Sequence, residues 1–287
     1  MKIFLAGGVS GNLNPVWRRV APNPTQETLK KELRKFGGIF DENILGGRST
    51  VERRGGYDEI IANSKPYILE SFYYANADTE RLLPLFGDFL LDSGAFTFMQ
   101  NAKSHTNWEE YIERYSHFIV KNNIEKFFEL DIDSVAGYEK VLEYRNVLEK
   151  KTGRRCIPVW HKSRGIAEYR KMCDEYDYVA IGGIVSKEIT KPQYDVFTPL
   201  LNIAHNKGTK VHGLGFTSLD GITKYKFDTV DSTAWTTGNR FGYVYYFNGR
   251  TMKKIDVPKG KRLNGKLGAI NNFAQWIKFQ QYADKNL

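Results

Sequence analysis

The feature that most constrains this chain is a recurrence of short apolar runs, several of them closing in Asp, Gly or His and separated by segments of helical period. Eight can be read: KIFLAGG (2–8), PYILESF (66–72), DFLLDSG (88–94), KFFELDID (126–133), CIPVWH (156–161), DYVAIGGI (177–184), KVHGLGF (210–216) and FDTVDST (227–233). Parallel strands need a long crossover, normally a helix, so this alternation specifies β/α units around a parallel sheet. Eight units predict an α/β fold, a (β/α)8 TIM barrel, as a single domain over 1–287. Helices are expected at Thr25–Phe36, Trp108–Asn122, Gly137–Lys151, Gly165–Glu175 and Pro192–Asn206, with a short turn near Leu219–Tyr225 and a closing helix at Ala269–Asp284. Thr106 or Asn107 supplies an N-cap before WEEYIERY, and Glu109 and Glu110 in the first turn suit the helix dipole.

Two stretches do not fit the repeat. Residues 37–65 are Gly-rich and basic without a strong period, and read as a long, partly mobile insertion before the second strand. Residues 248–287 read as a basic tail and the last helix, with TMKKIDVPKGKRLNGK (251–266) as a basic loop ahead of that helix. Hydrophobic residues make up 41% of the chain, enough to bury a sizeable core and to exclude disorder over most of it. Cys156 and Cys173 cannot build a disulfide framework and lack the spacing of a structural zinc site, so a reducing cytoplasm is the expected setting. Neither a secretory leader nor a membrane-length apolar run is readable, and no membrane partner is expected. The net charge of +9 points to a polyanionic partner, because cationic surface attracts phosphate and releases its counterions.

Barrel enzymes carry their chemistry where strands end at one face, which singles out the residues closing the runs. These are Asp92, Ser93 and Gly94; Asp131 and Asp133; Trp160 and His161; Gly182 and Gly183; His212, Gly213 and Gly215; and Asp231. An Asp in such a place serves equally well as a helix cap, and Asp133, directly before SVAGYEKVLEY, fits that role best. Asp92 and Asp231 differ, since each is followed by small residues that leave room beside the carboxylate. Gly182 and Gly183 are either a tight turn or a bare backbone against which a planar ligand lies. Trp160, Trp235, Tyr243, Tyr245, Tyr246 and Phe247 suit a core as well as a stacking surface.

LDSGAF (91–96), FELDID (128–133), IGGI (181–184), HGLGF (212–216) and VDSTAWTTGNRFG (230–242), in that order, resemble the tRNA-guanine transglycosylase superfamily over residues 88–247. The resemblance implies a pentosyltransferase in which Asp231 is the nucleophile at C1′ and Asp92 the acid and base that protonates the leaving purine and deprotonates the incoming one. It further implies that Asp131 reads the Watson–Crick edge and that Gly183, with Gly182, contacts the exocyclic oxygen. Ser93, Gly94, Trp160, His161, His212 and Gly213 are the other expected substrate-binding positions. The chemistry suits these residue types, because a carboxylate stabilises and then captures the oxocarbenium-like sugar, as in retaining glycosidases. The two carboxylates must then differ, and the proton carrier is expected to have a raised pKa.

The chain departs from the family in three ways. The segment after Asp231 contains no cysteine, so the zinc subdomain of the tRNA enzymes is not expected and no cofactor is predicted. Trp160 and His161 stand where the family places a base-reading glutamine, and the chain is shorter. These departures resemble the phage-encoded branch that inserts 7-deazaguanines into DNA, and imply DNA and a free 7-deazaguanine base as partners, with tRNA as the alternative and a host cytoplasm as the setting. A duplex base must be flipped out to reach a barrel mouth, at a cost of a few kcal/mol. Backbone contacts are expected from Arg48, Arg53, Arg54, Arg240, Lys253, Lys254, Lys261 and Arg262. Two other readings stay open: a metal-dependent hydrolase using His161, His212 and Asp231, and a non-catalytic nucleic-acid-binding barrel.

Overall fold

A computed structural model describes residues 1–7, 64–94, 97, 106–216, 218–256 and 265–287. The expected helix Thr25–Phe36 and all but the end of the 37–65 insertion lie outside them. In chain order the elements are β1 (Lys2–Ala6), β2 (Tyr67–Ser71), α1 (Ala77–Leu82), β3 (Asp88–Asp92), α2 (Trp108–Lys121), α3 (Asp133–Ala136), α4 (Tyr138–Thr152), β4 (Val159–Trp160), α5 (Gly165–Glu175), β5 (Tyr178–Ile181), α6 (Phe197–His205), β6 (Lys210–Gly213), α7 (Leu219–Lys224), β7 (Thr229–Ser232), α8 (Ala234–Phe241), β8 (Tyr243–Phe247), β9 (Met252–Asp256) and α9 (Gly265–Asn286). Asn107 is the cap of α2, its side chain accepting from the Glu110 amide at 3.1 Å. The helix expected from Pro192 begins instead as a 3-10 turn, Lys191–Val196, and becomes α-helical only from Phe197. No helix among the described residues is long and apolar enough to cross a membrane.

Seven strands form one all-parallel sheet in the order β3-β2-β1-β7-β6-β5-β4, curled into a half-barrel. Alternation along these strands separates two buried faces. Phe4, Ala6, Leu69, Leu90, Phe128, Ile157, Val159 and Ala180 pack together on the concave side. Their neighbours Ile3, Leu5, Ile68, Val179, Ile181, Val211 and Val230 join the layer containing Tyr169, Phe197, Leu200, Phe216 and Trp235 from the helical side.

The expected strand 126–133 is not a member of this sheet. Its Phe127 and Phe128 make single parallel bridges, to Leu91 and Ile157, one at each edge of the curl. Pro158 has no N–H to give the β5 side of the ladder, where its carbonyl accepts from the Ala180 amide, and β4 is only two residues long. Side chains supply what the ladder lacks. Glu129 Oε1 accepts from the Val159 amide at 2.8 Å, and the Tyr115 hydroxyl reaches the carbonyls of Leu91 and Phe128 at 3.2 and 2.9 Å.

The 251–266 segment, expected to be a basic loop, instead begins with a strand: β9 pairs antiparallel with β8 from Tyr243↔Asp256 to Phe247↔Met252. An exposed hairpin edge would be a site of mispairing, and α9 covers this one with amide side chains. Asn272 Oδ1 accepts from the Tyr245 amide at 2.6 Å, Asn271 donates to the Tyr245 carbonyl at 3.0 Å, and Gln275 accepts from the Phe247 amide at 3.0 Å. Gln280 does the same where β1 and β2 diverge below their first paired residues, Leu5 and Ile68. It accepts from the Tyr67 amide at 2.9 Å and donates to the carbonyls of Ile3 and Tyr67 at 2.6 and 2.9 Å. These buried polar residues therefore answer backbone groups that a purely apolar helix would leave orphaned. Gln280→Leu, similar in volume but unable to bond, is expected to lower unfolding stability by about 2–4 kcal/mol, read as an earlier urea midpoint at unchanged slope.

Candidate active site

The C-terminal ends of the strands bring the sequence-selected carboxylates to one face. Asp92 closes β3 opposite Ser71 of β2, and Asp231 lies in β7 opposite Phe4 of β1. Asp92 keeps a partly open side chain, yet protein surrounds it as the floor of a recess does. Its carboxyl is raised to about 6, chiefly by burial and then by the negative charges of Asp231 and Asp131, against the Gly94 amide at 3.0 Å, which pulls it down. The three carboxylates thus share one electrostatic neighbourhood. Gly94 itself has φ of +85°, and a Cβ there would lie 2.7 Å from Cβ of Tyr73, so the turn that offers its amide to Asp92 requires glycine. Ser93 is fully buried, the Tyr111 hydroxyl donating to its carbonyl, and its own hydroxyl has no partner among the described residues.

Asp231 has a different environment. It is 6% exposed, and its Oδ1 accepts from the Gly215 amide and from His212 Nε2 at 3.2 Å. His212 is fully buried, with Nδ1 2.6 Å from the Thr229 hydroxyl, which is in turn bonded to the Tyr178 hydroxyl. Gly215 lies at φ +72°, and a Cβ would meet Val185 Cγ2 at 2.3 Å. Gly213 faces Phe216 and Phe227, both within 3.2 Å of where its Cβ would stand, so its role is close packing.

A third group forms around Asp131. Its Oδ2 takes His161 Nε2 at 2.8 Å and its Oδ1 takes Arg164 at 2.9 Å. His161 Nδ1 meets Glu188 at 3.1 Å. Burial lowers the His161 pKa, but the bond to Asp131 and its charge more than offset this, and the ring is pushed up to about 9. It is therefore an imidazolium at neutral pH, held between two carboxylates. Gly182 accommodates the ring, since a Cβ there would lie 2.8 Å from His161 Cε1. The Gly182 amide is spent on the Trp160 carbonyl at 2.8 Å, whereas the Gly183 amide has no protein acceptor among the described residues.

Several expected positions have other roles. Trp160 faces the helices, not the recess: it is 3% exposed, packs on Tyr169 at 5.3 Å between centroids and donates to the Gly165 carbonyl at 2.8 Å. Asp133 does not cap its helix; its carboxylate accepts from Arg164 Nε at 3.1 Å. Lys254 lies over the Tyr243 ring at 4.6 Å, and Lys253 is exposed on β9. Arg48, Arg53, Arg54, Lys261 and Arg262, and the side chain of Arg240, fall outside the described residues.

His161, His212 and Asp231 do not assemble as a metal triad. Among the described residues the one group of three with ligand atoms within 4.8 Å of each other is Asp131, Asp133 and His161. Arg164 already donates to both of those aspartates, and His161 to the first, so a cation there would meet two positive charges in place of open lone pairs.

Sequence reading missed Arg164, Glu129, Glu188, Thr229 and Tyr178. Arg164 sits three residues past the expected strand end, and Glu129 alternates with Asp131 and Asp133 in FELDID; that period-two row of acids was the readable signal. No family model matches the chain, and a search of curated proteins finds no match.

The Asp92 pKa has a thermodynamic consequence. The folded state holds this proton up to about pH 6, whereas an unfolded chain releases it near pH 4, so the group's contribution to stability falls as pH rises through that window. Asp92→Asn, which keeps the acceptor for Gly94, is expected to be more stable than the native protein at pH 7 by about 3 kcal/mol, with the difference closing below pH 4. Urea unfolding across pH checks this, and a difference independent of pH contradicts it.

Proposed function

We propose that the half-barrel is most of a closed (β/α)8 ring, with residues 127–128 as its eighth strand, and that the protein is a guanine transglycosylase exchanging guanine in DNA for a 7-deazaguanine. The bridges from Phe127 and Phe128 to both sheet edges support the closed ring. The observation that carries the function is the unlike pair of carboxylates at one face: burial and neighbouring charge raise Asp92 to about 6, while Asp231 takes two N–H donors on one oxygen. Base exchange needs that asymmetry. One carboxyl must bring a proton to the leaving purine while the other attacks C1′ as an anion.

In the first half-reaction an Asp231 oxygen bonds to C1′ as the C1′–N9 electron pair passes to the guanine, which takes the Asp92 proton. In the second, the incoming base gives a proton to Asp92 and its nitrogen bonds to C1′, returning Asp231 as a carboxylate. Asp131, fixed by His161 and Arg164, suits the purine's donor edge, and the Gly183 amide suits its exocyclic oxygen. Tyr73 lies beside Gly94, and its ring is 4.9 Å from that of Tyr74 between centroids; the two, 43% and 53% exposed, suit contact with a flipped or single-stranded nucleotide. The net charge of +9 and the exposed Lys253 suit a phosphate backbone. DNA is preferred to tRNA on the sequence's departures from the tRNA enzymes.

Asp231→Asn is expected to reduce incorporation of a labelled 7-deazaguanine into guanine-containing DNA by roughly four orders of magnitude. Asp92→Asn is expected to abolish incorporation as well. Nucleoside mass analysis of treated DNA and tRNA reads both the loss and the choice of polymer, and normal incorporation by Asp231→Asn would sink the assignment.

A further inference from the structure

The two oxygens of Asp231 are not equivalent. Oδ1 receives both the Gly215 amide and His212 Nε2, and Oδ2 accepts from no protein group among the described residues. A carboxylate has only lone pairs to offer, so His212 Nε2 must carry the hydrogen. With the hydrogen on Nε2 alone, Nδ1 is an acceptor, and it takes the Thr229 hydroxyl at 2.6 Å. The Thr229 oxygen can in turn accept from the Tyr178 hydroxyl. Every donor in this row points the same way, towards Asp231. The ring cannot readily turn, because the rings of Phe4 and Phe128 lie 6.2 and 5.3 Å from it on the concave side.

We propose that His212 is a positioning residue which, with the Gly215 amide, pins Oδ1 of Asp231 and leaves Oδ2 as the oxygen that attacks. The proposal rests on the transglycosylase reading above. Its chemical consequence lies in the second half-reaction. In the glycosyl ester, Oδ2 is bonded to C1′ and Oδ1 is the carbonyl oxygen. When the incoming base attacks C1′, the C1′–Oδ2 pair returns to the carboxylate, and the developing charge on Oδ1 meets two donors already in place. Removing one donor makes the carboxylate a poorer leaving group, so the ester persists. Thr229 and Tyr178 act one and two bonds further out by fixing the tautomer that donates.

The test compares His212→Leu with His212→Gln, whose side-chain amide places an N–H where Nε2 stood. His212→Leu is expected to slow exchange roughly 10²-fold with little change in KM for the oligonucleotide, while the fraction of protein trapped as a DNA adduct on denaturing electrophoresis rises several-fold. His212→Gln is expected to restore most of the exchange and the low adduct level. Thr229→Val, which folds without disturbing the ring's volume, is expected to move both readouts in the Leu direction by less. Adduct falling in parallel with exchange would mean a collapsed pocket, and exchange unaffected by His212→Leu would mean no role; either overturns the proposal. The transglycosylase reading fails separately, if Asp231→Asn still exchanges bases or the native protein forms no adduct.

Discussion

A fully buried carboxylate, Glu129, holds the thin side of the sheet together. Beside the two-residue β4, one Glu129 oxygen takes the Val159 amide and Arg164 at 2.8 and 3.0 Å, and the other takes Arg145 at 2.6 Å. Neither guanidinium is more than 6% exposed on its side chain, so each charge depends on the others for the solvation it lost. Removing one partner would leave an uncompensated charge inside the protein. The same Arg164 reaches on to Asp131 and Asp133, so the group that closes the scaffold also fixes the base-facing carboxylate of the proposed site.

From there the polar groups of the recess fall into three sets of unlike charge. Arg164, His161, Asp131 and Glu188 form a nearly compensated cluster, which lets Asp131 remain a rigid acceptor. Among the described residues Asp231 takes N–H donors on one oxygen only. Asp92 has no cation beside it among the described residues, and burial followed by the two aspartates raises its proton affinity. A recess that raises the proton affinity of one carboxyl beside a second carboxylate is costly to stability at neutral pH, a cost that active sites commonly carry.

Much of this was legible in the chain. All eight apolar runs contribute strands or bridges at their expected places, because length and bounding residues identify a buried strand without knowledge of its neighbours. Asp92 and Asp231 were readable because strand ends at one face are where such folds place chemistry. What was not legible depended on partners distant in sequence. Trp160 and His161 are adjacent, and only the parity of β4 decides that the first enters the helical layer and the second the recess. Asn271, Asn272, Gln275 and Gln280 look like a polar helix face until β8 and the β1–β2 opening supply the backbone groups they bond. The strand at Met252–Asp256 was hidden by its lysines, since its order derives from pairing with β8 and not from its own composition. The tautomer row from Tyr178 to Asp231 joins residues that no local pattern links.

The central claim is that Asp231 becomes covalently bonded to a sugar while Asp92 manages the proton. Proteolysis of the denatured protein–oligonucleotide mixture, followed by mass mapping of the peptides, tests it most directly. The account predicts a peptide spanning residues 226–240 that carries the abasic deoxyribose of the oligonucleotide as an ester on Asp231. A sugar found on another residue, or exchange proceeding with no adduct on any peptide, would contradict it.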